Sequence, residues 1–147
     1  MKKKMHPAKK YLMQIEKINA MIENKKTEKQ QWGDMATGIT VKMNEKVQSS
    51  SSQQKMADAV VNALSVQYEI DECILNLKNK KQEIIGVIEQ LDVAEYDLLH
   101  KVYVQLYTLK EVQWMKKKSY SSITSLHGRA LNNVQEILER MKEANEY

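Results

Sequence analysis

Residues 55–91 read KMADAVVNALSVQYEIDECILNLKNKKQEIIGVIEQL, the longest regular pattern in the chain. Met56, Val60, Ala63, Gln67, Ile70, Ile74, Leu77, Lys81, Ile84, Ile88 and Leu91 alternate steps of four and three across five heptads. An α-helix repeats every 3.6 residues, so this spacing lays one nearly continuous stripe along one side of one helix, a coiled-coil seam. A helix over 53–90 would be roughly 57 Å long at 1.5 Å per residue. Alone in water it would leave its stripe wet, so the stripe needs a cover. Gln67 and Lys81 interrupt it. Polar seam residues either set register and partner or mark where a seam runs out to solvent, and the pattern alone allows both.

Working outward, the first cover is upstream. Tyr11, Ile15, Ile18, Ile22, Lys25, Lys29 and Trp32 follow the same steps, which predicts a helix from about residue 8 to 31. Its stripe is apolar only in the N-terminal half. A helical hairpin with apolar surface left over is therefore expected, its remainder buried by a second copy or by the C-terminal module. Residues 33–52 hold two of the four glycines and a serine run, and they read as a long loop. Ile39, Val41 and Met43 alternate with polar residues, so a short strand there is the weaker alternative. Ser50 or Ser51, with Gln53 or Gln54 three residues on, resembles a capping box opening the long helix.

Composition agrees with a helical chain. Four glycines and one proline are too few for an all-β protein, while Glu, Gln, Lys, Leu and Met abound. No apolar run approaches the roughly 20 residues that span a bilayer, and the basic N-terminus lacks the apolar core of a signal peptide. Cys73 is the lone cysteine, so no disulfide forms within one chain and a reducing cytoplasm is expected. His6, His100 and His127 lack metal-ligand spacing, no phosphate-binding glycine loop or nucleophile motif appears, and no enzyme site, metal or cofactor is expected. Net charge is +4, unevenly spread: nine lysines against three acids in 1–31, five bases against nine acids in 53–107, and seven against five in 108–147. Basic ends suit contact with phosphate, although Lys-rich helices are also simply soluble.

Downstream of the seam, Asp92 with Glu95 marks a helix start, and Leu98, Leu99, Val102 and Tyr103 give that helix an apolar face to about Val104. Thr108 and Glu111 have the spacing of a full capping box, the short helix they open ends near Lys116–Lys118, and Ser119 caps another. Two capped helices joined by a few residues have helix-turn-helix spacing. On the last helix Ile123, Leu126, Ala130, Val134, Ile137 and Met141 fall on one side. Tyr120, Ser121, Thr124, Ser125 and Gly128 fall opposite, a small and hydroxyl-rich face unlike an ordinary charged one. Such a face suits entry into the roughly 12 Å major groove. Gly128 costs about 1 kcal/mol relative to Ala, explained either by close approach of DNA or by close helix packing. Lys116, Lys117, Lys118, Ser119 and Arg129 flank the face as candidate phosphate contacts. His127 at its edge is either packed or a phosphate contact.

The stretch from Thr108 to Leu138 resembles region 4 of bacterial sigma factors, on Thr108-Leu109, Glu111-Val112, Ser119, Ile123, Leu126 and Arg129-Ala130-Leu131. With Tyr11-Leu12 and the run at 51–60, nearly the whole chain resembles the ArpU/RinA-type regulators of phages and prophages of Gram-positive bacteria. The resemblance implies a DNA-binding activator of late packaging and structural genes, with Tyr120, Ser121, Thr124 and Ser125 reading bases. It departs from sigma factors in having no arginine at those positions. It departs again at the turn, where Lys116–Lys118 stand in place of a leucine, a glycine or asparagine, and an apolar residue. Trp114 and Met115 are expected to supply the missing packing while lysine stems cover the edge.

The resulting expectation is an all-α chain: a helical hairpin over 1–91 that drives oligomerisation, its loop at 33–52, and a helix-turn-helix bundle over 92–147. Double-stranded promoter DNA is the expected partner, with host RNA polymerase as a second, further copies of the chain bound through the hairpin, and no membrane. A DNA-packaging recognition protein like a small terminase subunit, or a helical interaction factor without DNA binding, is the competing reading.

Overall fold

The computed structural model describes residues 5–45 and 50–145. The fold is all-α: a long N-terminal helical pair followed by a helix-turn-helix bundle. The elements are α1 (Pro7–Glu45), α2 (Ser50–Ile88), α3 (Val93–Leu99) with a π-helical turn (His100–Val104), α4 (Leu109–Lys116) and α5 (Tyr120–Asn145). No described helix is long and apolar enough to cross a membrane.

The chain divides into two compact units, one of Met1–Asn19 with Lys80–Tyr147 and one of Ala20–Asn79. The first turns of α1 and the last of α2 thus belong to the unit that holds the module. Their apolar residues explain why: Ala8, Leu12, Ile15, Ile84, Val87 and Ile88 are all fully buried.

In the unit of 20–79, α1 and α2 run antiparallel. Lys29 Nζ pairs with Asp71 Oδ1 at 2.8 Å, and four residues further along α1 a Cβ at Gly33 would lie 2.8 Å from Gln67 Nε2, four residues back along α2. Gln67 Nε2 also donates to the Lys29 carbonyl at 3.3 Å. The polar break in the seam is thus where a side chain of α2 reaches the backbone of α1, which fits a register-setting role. Ile22, Ala36, Ala63, Ile70 and Ile74 fill the rest of this interface side, whereas Val61, Leu64, Tyr68 and Leu75 on α2 stay exposed. All eleven residues of the seam read from the sequence are buried or half-buried.

The expected loop over 33–52 is corrected. Residues 33–45 continue α1 and residues 50–52 begin α2, so no strand forms at Ile39–Met43. The connection at 46–49, next to the capping pattern read at Ser50 or Ser51, lies outside the described residues. Two glycines argue for a loop by propensity, about 1 kcal/mol each, but packing along a partner helix overrides propensity. Gly33 has a use, since it admits Gln67 where a larger residue would press on it. Gly38 shows none, for among the described residues no atom outside the helix backbone lies within 4 Å of a Cβ built there.

The second unit contains the module. Asp92 caps α3 as expected, its Oδ1 accepting from the Glu95 amide at 2.9 Å. The helix then widens into the π turn, closed by Gln105 N donating to the His100 carbonyl at 3.0 Å. Leu106 follows with φ 64°, a left-handed backbone that ends the helix and leaves its side chain exposed. Leu98, Val112 and Ile123, from α3, α4 and α5, form one small core against which Val102, Tyr107, Leu109 and Leu126 pack.

Replacement of Gly38 by Ala is expected to raise stability by about 0.5–1 kcal/mol, measured by urea unfolding followed by circular dichroism. A flexible loop at 33–45 would gain no helical signal from that change.

Candidate nucleic-acid interface

The module is built from its caps inward. Thr108 and Glu111 form the full capping box read from the sequence: Glu111 N donates to Thr108 Oγ1 at 3.1 Å, and Thr108 N donates to Glu111 Oε1 at 3.3 Å. This satisfies two of the amides that a helix start leaves open. Ser119 accepts from Ser122 N at 3.0 Å and starts α5. Its oxygen therefore serves as a cap, leaving the hydroxyl hydrogen as what it can offer a phosphate.

Between the two helices Lys117 adopts φ 53°, ψ 45°, the left-handed conformation that ends α4. Its amide donates to the Gln113 carbonyl, and Lys118 N reaches the same carbonyl at 3.3 Å. Glycine or asparagine takes this position most cheaply, and a lysine carries a cost of about 1 kcal/mol. A cation beside the helix C-terminus offsets part of it.

The expected packing role of Trp114 and Met115 is corrected: Trp114 is 81% and Met115 47% exposed. Val112 and Leu109 face the core in their place, because a helix of eight residues has room for one apolar face and those two occupy it. The lysine stems do cover the edge, since Lys116 and Lys118 line a small cleft over Leu98, Val112 and Ile123.

On α5, Ile123, Ala130, Val134 and Ile137 are buried and Leu126 and Met141 half-buried, as the periodicity predicts; Leu131 is buried as well. Tyr120, Ser121, Ser125 and Gly128 are exposed on the other side. Thr124 is half-buried, and its hydroxyl donates to the Ser121 carbonyl at 3.0 Å, so it presents its methyl and one oxygen lone pair rather than a free donor. No atom outside the helix backbone lies within 4 Å of a Cβ built at Gly128. Helix packing among the described residues therefore does not explain that glycine.

Two of the candidate phosphate contacts have partners that sequence reasoning missed. Lys116 pairs with Asp97 Oδ2, whose other oxygen accepts from Lys101 Nζ at 2.6 Å. Lys101 and Lys116 together hold the Asp97 carboxyl below the usual carboxylate range. Arg129 Nε lies 3.7 Å from Glu95 Oε1, and Glu95, only 3% exposed, accepts from Asn133 Nδ2 at 2.9 Å through each carboxylate oxygen. Glu95 was legible as part of a helix start, but the pairing of Asp97 across to α4 and of Glu95 across to α5 leaves no local spacing to read. Lys117 and Lys118 have no ion-pair partner among the described residues.

His127 is packed: its Nε2 sits 2.8 Å from Tyr103 Oη and the rings stack at 5.9 Å. Burial lowers its pKa, with Lys9 and His6 adding to the effect, and burial pushes the Tyr103 hydroxyl up to about 12. Among the described residues no group of three His, Cys, Asp or Glu is placed to hold a metal ion. No protein family matches the chain, and no similar curated protein or solved structure was found.

Asp97→Asn is expected to destabilise the module by about 1 kcal/mol at neutral pH. Because the folded pKa is depressed, the stabilisation is complete above the unfolded value near 3.9 and lost as pH falls through the folded value. Urea midpoints of the two proteins should therefore begin to converge below about pH 4 and meet only once pH is under the folded value.

Proposed function

We propose that the chain is a transcription regulator of a phage or prophage that binds double-stranded promoter DNA through α4 and α5 and activates late packaging and structural genes. The observation that carries the reading is the face of α5 built from Tyr120, Ser121, Thr124, Ser125 and Gly128. It is largely exposed, bears no charge, and includes Gly128, where no atom of the described residues outside the helix backbone would meet an added Cβ. A groove-entering helix needs little bulk and hydrogen-bonding side chains near its N-terminus, and this face supplies both. Specificity then rests on hydroxyls, Tyr120, water and DNA shape, with no arginine to grip guanine. The exposed row Val61, Leu64, Tyr68 and Leu75 supports association of copies through the hairpin, which would place two modules on paired half-sites. Host RNA polymerase is a second partner in this reading, through contact with the promoter-bound module.

Retardation of labelled promoter fragments from the source genome, at two salt concentrations with random competitor, tests the reading directly. A specific, salt-sensitive shift is expected, and no shift even at low salt refutes it. Run-off transcription that ignores the protein would remove the activator role alone.

Gly128→Ala separates the two explanations of its glycine. It should gain about 0.5–1 kcal/mol in stability while binding the promoter fragment several-fold more weakly. Equal binding would mean that DNA does not approach this face. Tyr120→Ala and Thr124→Ala should alter sequence preference, by about 1–3 kcal/mol for each lost contact.

A further inference from the structure

The lysine run does not act as one patch. Lys116 is taken up by Asp97, whereas Lys117 and Lys118 line, with Trp114 and Gln113, a cleft of about 290 Å³ beside the turn. Trp114 is the most exposed tryptophan of the two in the chain, with its indole almost wholly in water. Water is a poor environment for so large an aromatic surface, and tryptophans left this bare are characteristic of contact sites. The left-handed Lys117 adds a second observation: a lysine is kept where backbone sterics favour glycine, and its ammonium has no carboxylate among the described residues.

From this we infer that Trp114, Lys117 and Lys118 form a clamp for the sugar–phosphate backbone of duplex DNA, a contact outside the base-reading face. The inference rests on the proposed DNA binding and adds to it a residue of α4. The backbone of DNA alternates an anion with the apolar edge of a deoxyribose. An indole sharing one cleft with two unpaired ammonium groups and an amide matches that alternation, the ring lying on sugar while the lysines meet neighbouring phosphates. DNA is favoured over an acidic protein surface because the clamp is continuous in sequence with Ser119 and Tyr120, the first residues of the proposed recognition helix. The first helix of such a module crosses the DNA backbone, where a contact of this kind belongs.

The test uses the full chain with Trp32→Phe, so that Trp114 is the sole tryptophan. Its emission is followed during titration with a short random duplex and with the promoter fragment, alongside fluorescence anisotropy of the labelled DNA. The expected result is an emission change that saturates with binding. Trp114→Ala, at an exposed site and checked for unchanged thermal unfolding, should weaken binding of both duplexes alike by about tenfold. It should leave the salt dependence intact, whereas Lys117→Gln with Lys118→Gln should lower the slope of log K against log salt by about two.

Duplex bound without an emission change, and equally well by Trp114→Ala, overturns the clamp while the proposed function stands. No duplex bound at low salt overturns the function and the clamp with it. An emission change produced equally by poly-glutamate would show that the cleft receives acidic polypeptide, and the DNA assignment falls.

Discussion

Leu98, Val112 and Ile123 come from three different helices and meet in one core, and the outward geometry of the module depends on that meeting. A core this small leaves each helix little freedom to roll. Rotating α5 by one residue, about 100°, would carry Ile123 out of the core and bring a serine or threonine into it, at a cost of several kcal/mol from lost burial and an unsatisfied hydroxyl. The same constraint that buries Ile123 therefore fixes which side chains of α5 face outward. The caps complete the arrangement, because Thr108 and Ser119 set where α4 and α5 begin, and so how many residues are left to turn between them.

That turn is short, and it concentrates backbone cost at Lys117. Together with Leu106, it is one of two described non-glycine residues with positive φ, and the pair stand at either end of α4. Each position halts a helix abruptly so that the next can start within a few residues. At Leu106 the consequence is an exposed leucine, and at Lys117 an exposed cation. Sequences that keep side chains where glycine is cheaper give up stability for what those side chains do, unless the helix dipole repays the difference. The dipole accounts for a cation near the end of α4, but Lys116 already provides one.

Elements with a local signal were legible in the sequence. The heptad seam of α2, the capping box at Thr108, the caps at Asp92 and Ser119, and the buried side of α5 all depend on residues within one or two turns of each other, and all are present as read. What failed depended on partners distant in sequence. Residues 33–45 look like a loop because Gly33 and Gly38 weaken the helix, yet an antiparallel neighbour supplies the packing that propensity lacks. At the candidate site the exposed face of α5 was read from periodicity, but the pairing of Lys116 with Asp97 and of Arg129 with Glu95 was not. Trp114 misled for a related reason: an aromatic in a short amphipathic helix is usually packed, and only the tertiary core shows that Val112 and Leu109 have already filled that side.

The hidden carboxylates change what the positive charge around α5 means. Four basic side chains there were read as phosphate contacts, but Asp97 already neutralises much of Lys116, and Glu95 lies against Arg129. A cation that must leave a carboxylate to meet a phosphate gains less than a free one, because the broken pair is subtracted from the new contact. Glu95 is held in place by Asn133 and is nearly inaccessible, so a ligand meeting Arg129 would find that carboxylate still beside it. On the proposed reading, α3 thereby limits how strongly the module holds DNA of arbitrary sequence, which is governed by phosphate neutralisation. Base contacts along Tyr120–Ser125 involve no carboxylate and are not weakened in the same way. Lowering the general attraction while sparing the specific one widens the ratio between promoter and bulk DNA, the quantity that decides where a regulator resides in a genome full of competing sites. A pair of acids on a helix that touches no DNA would then contribute to recognition by subtraction.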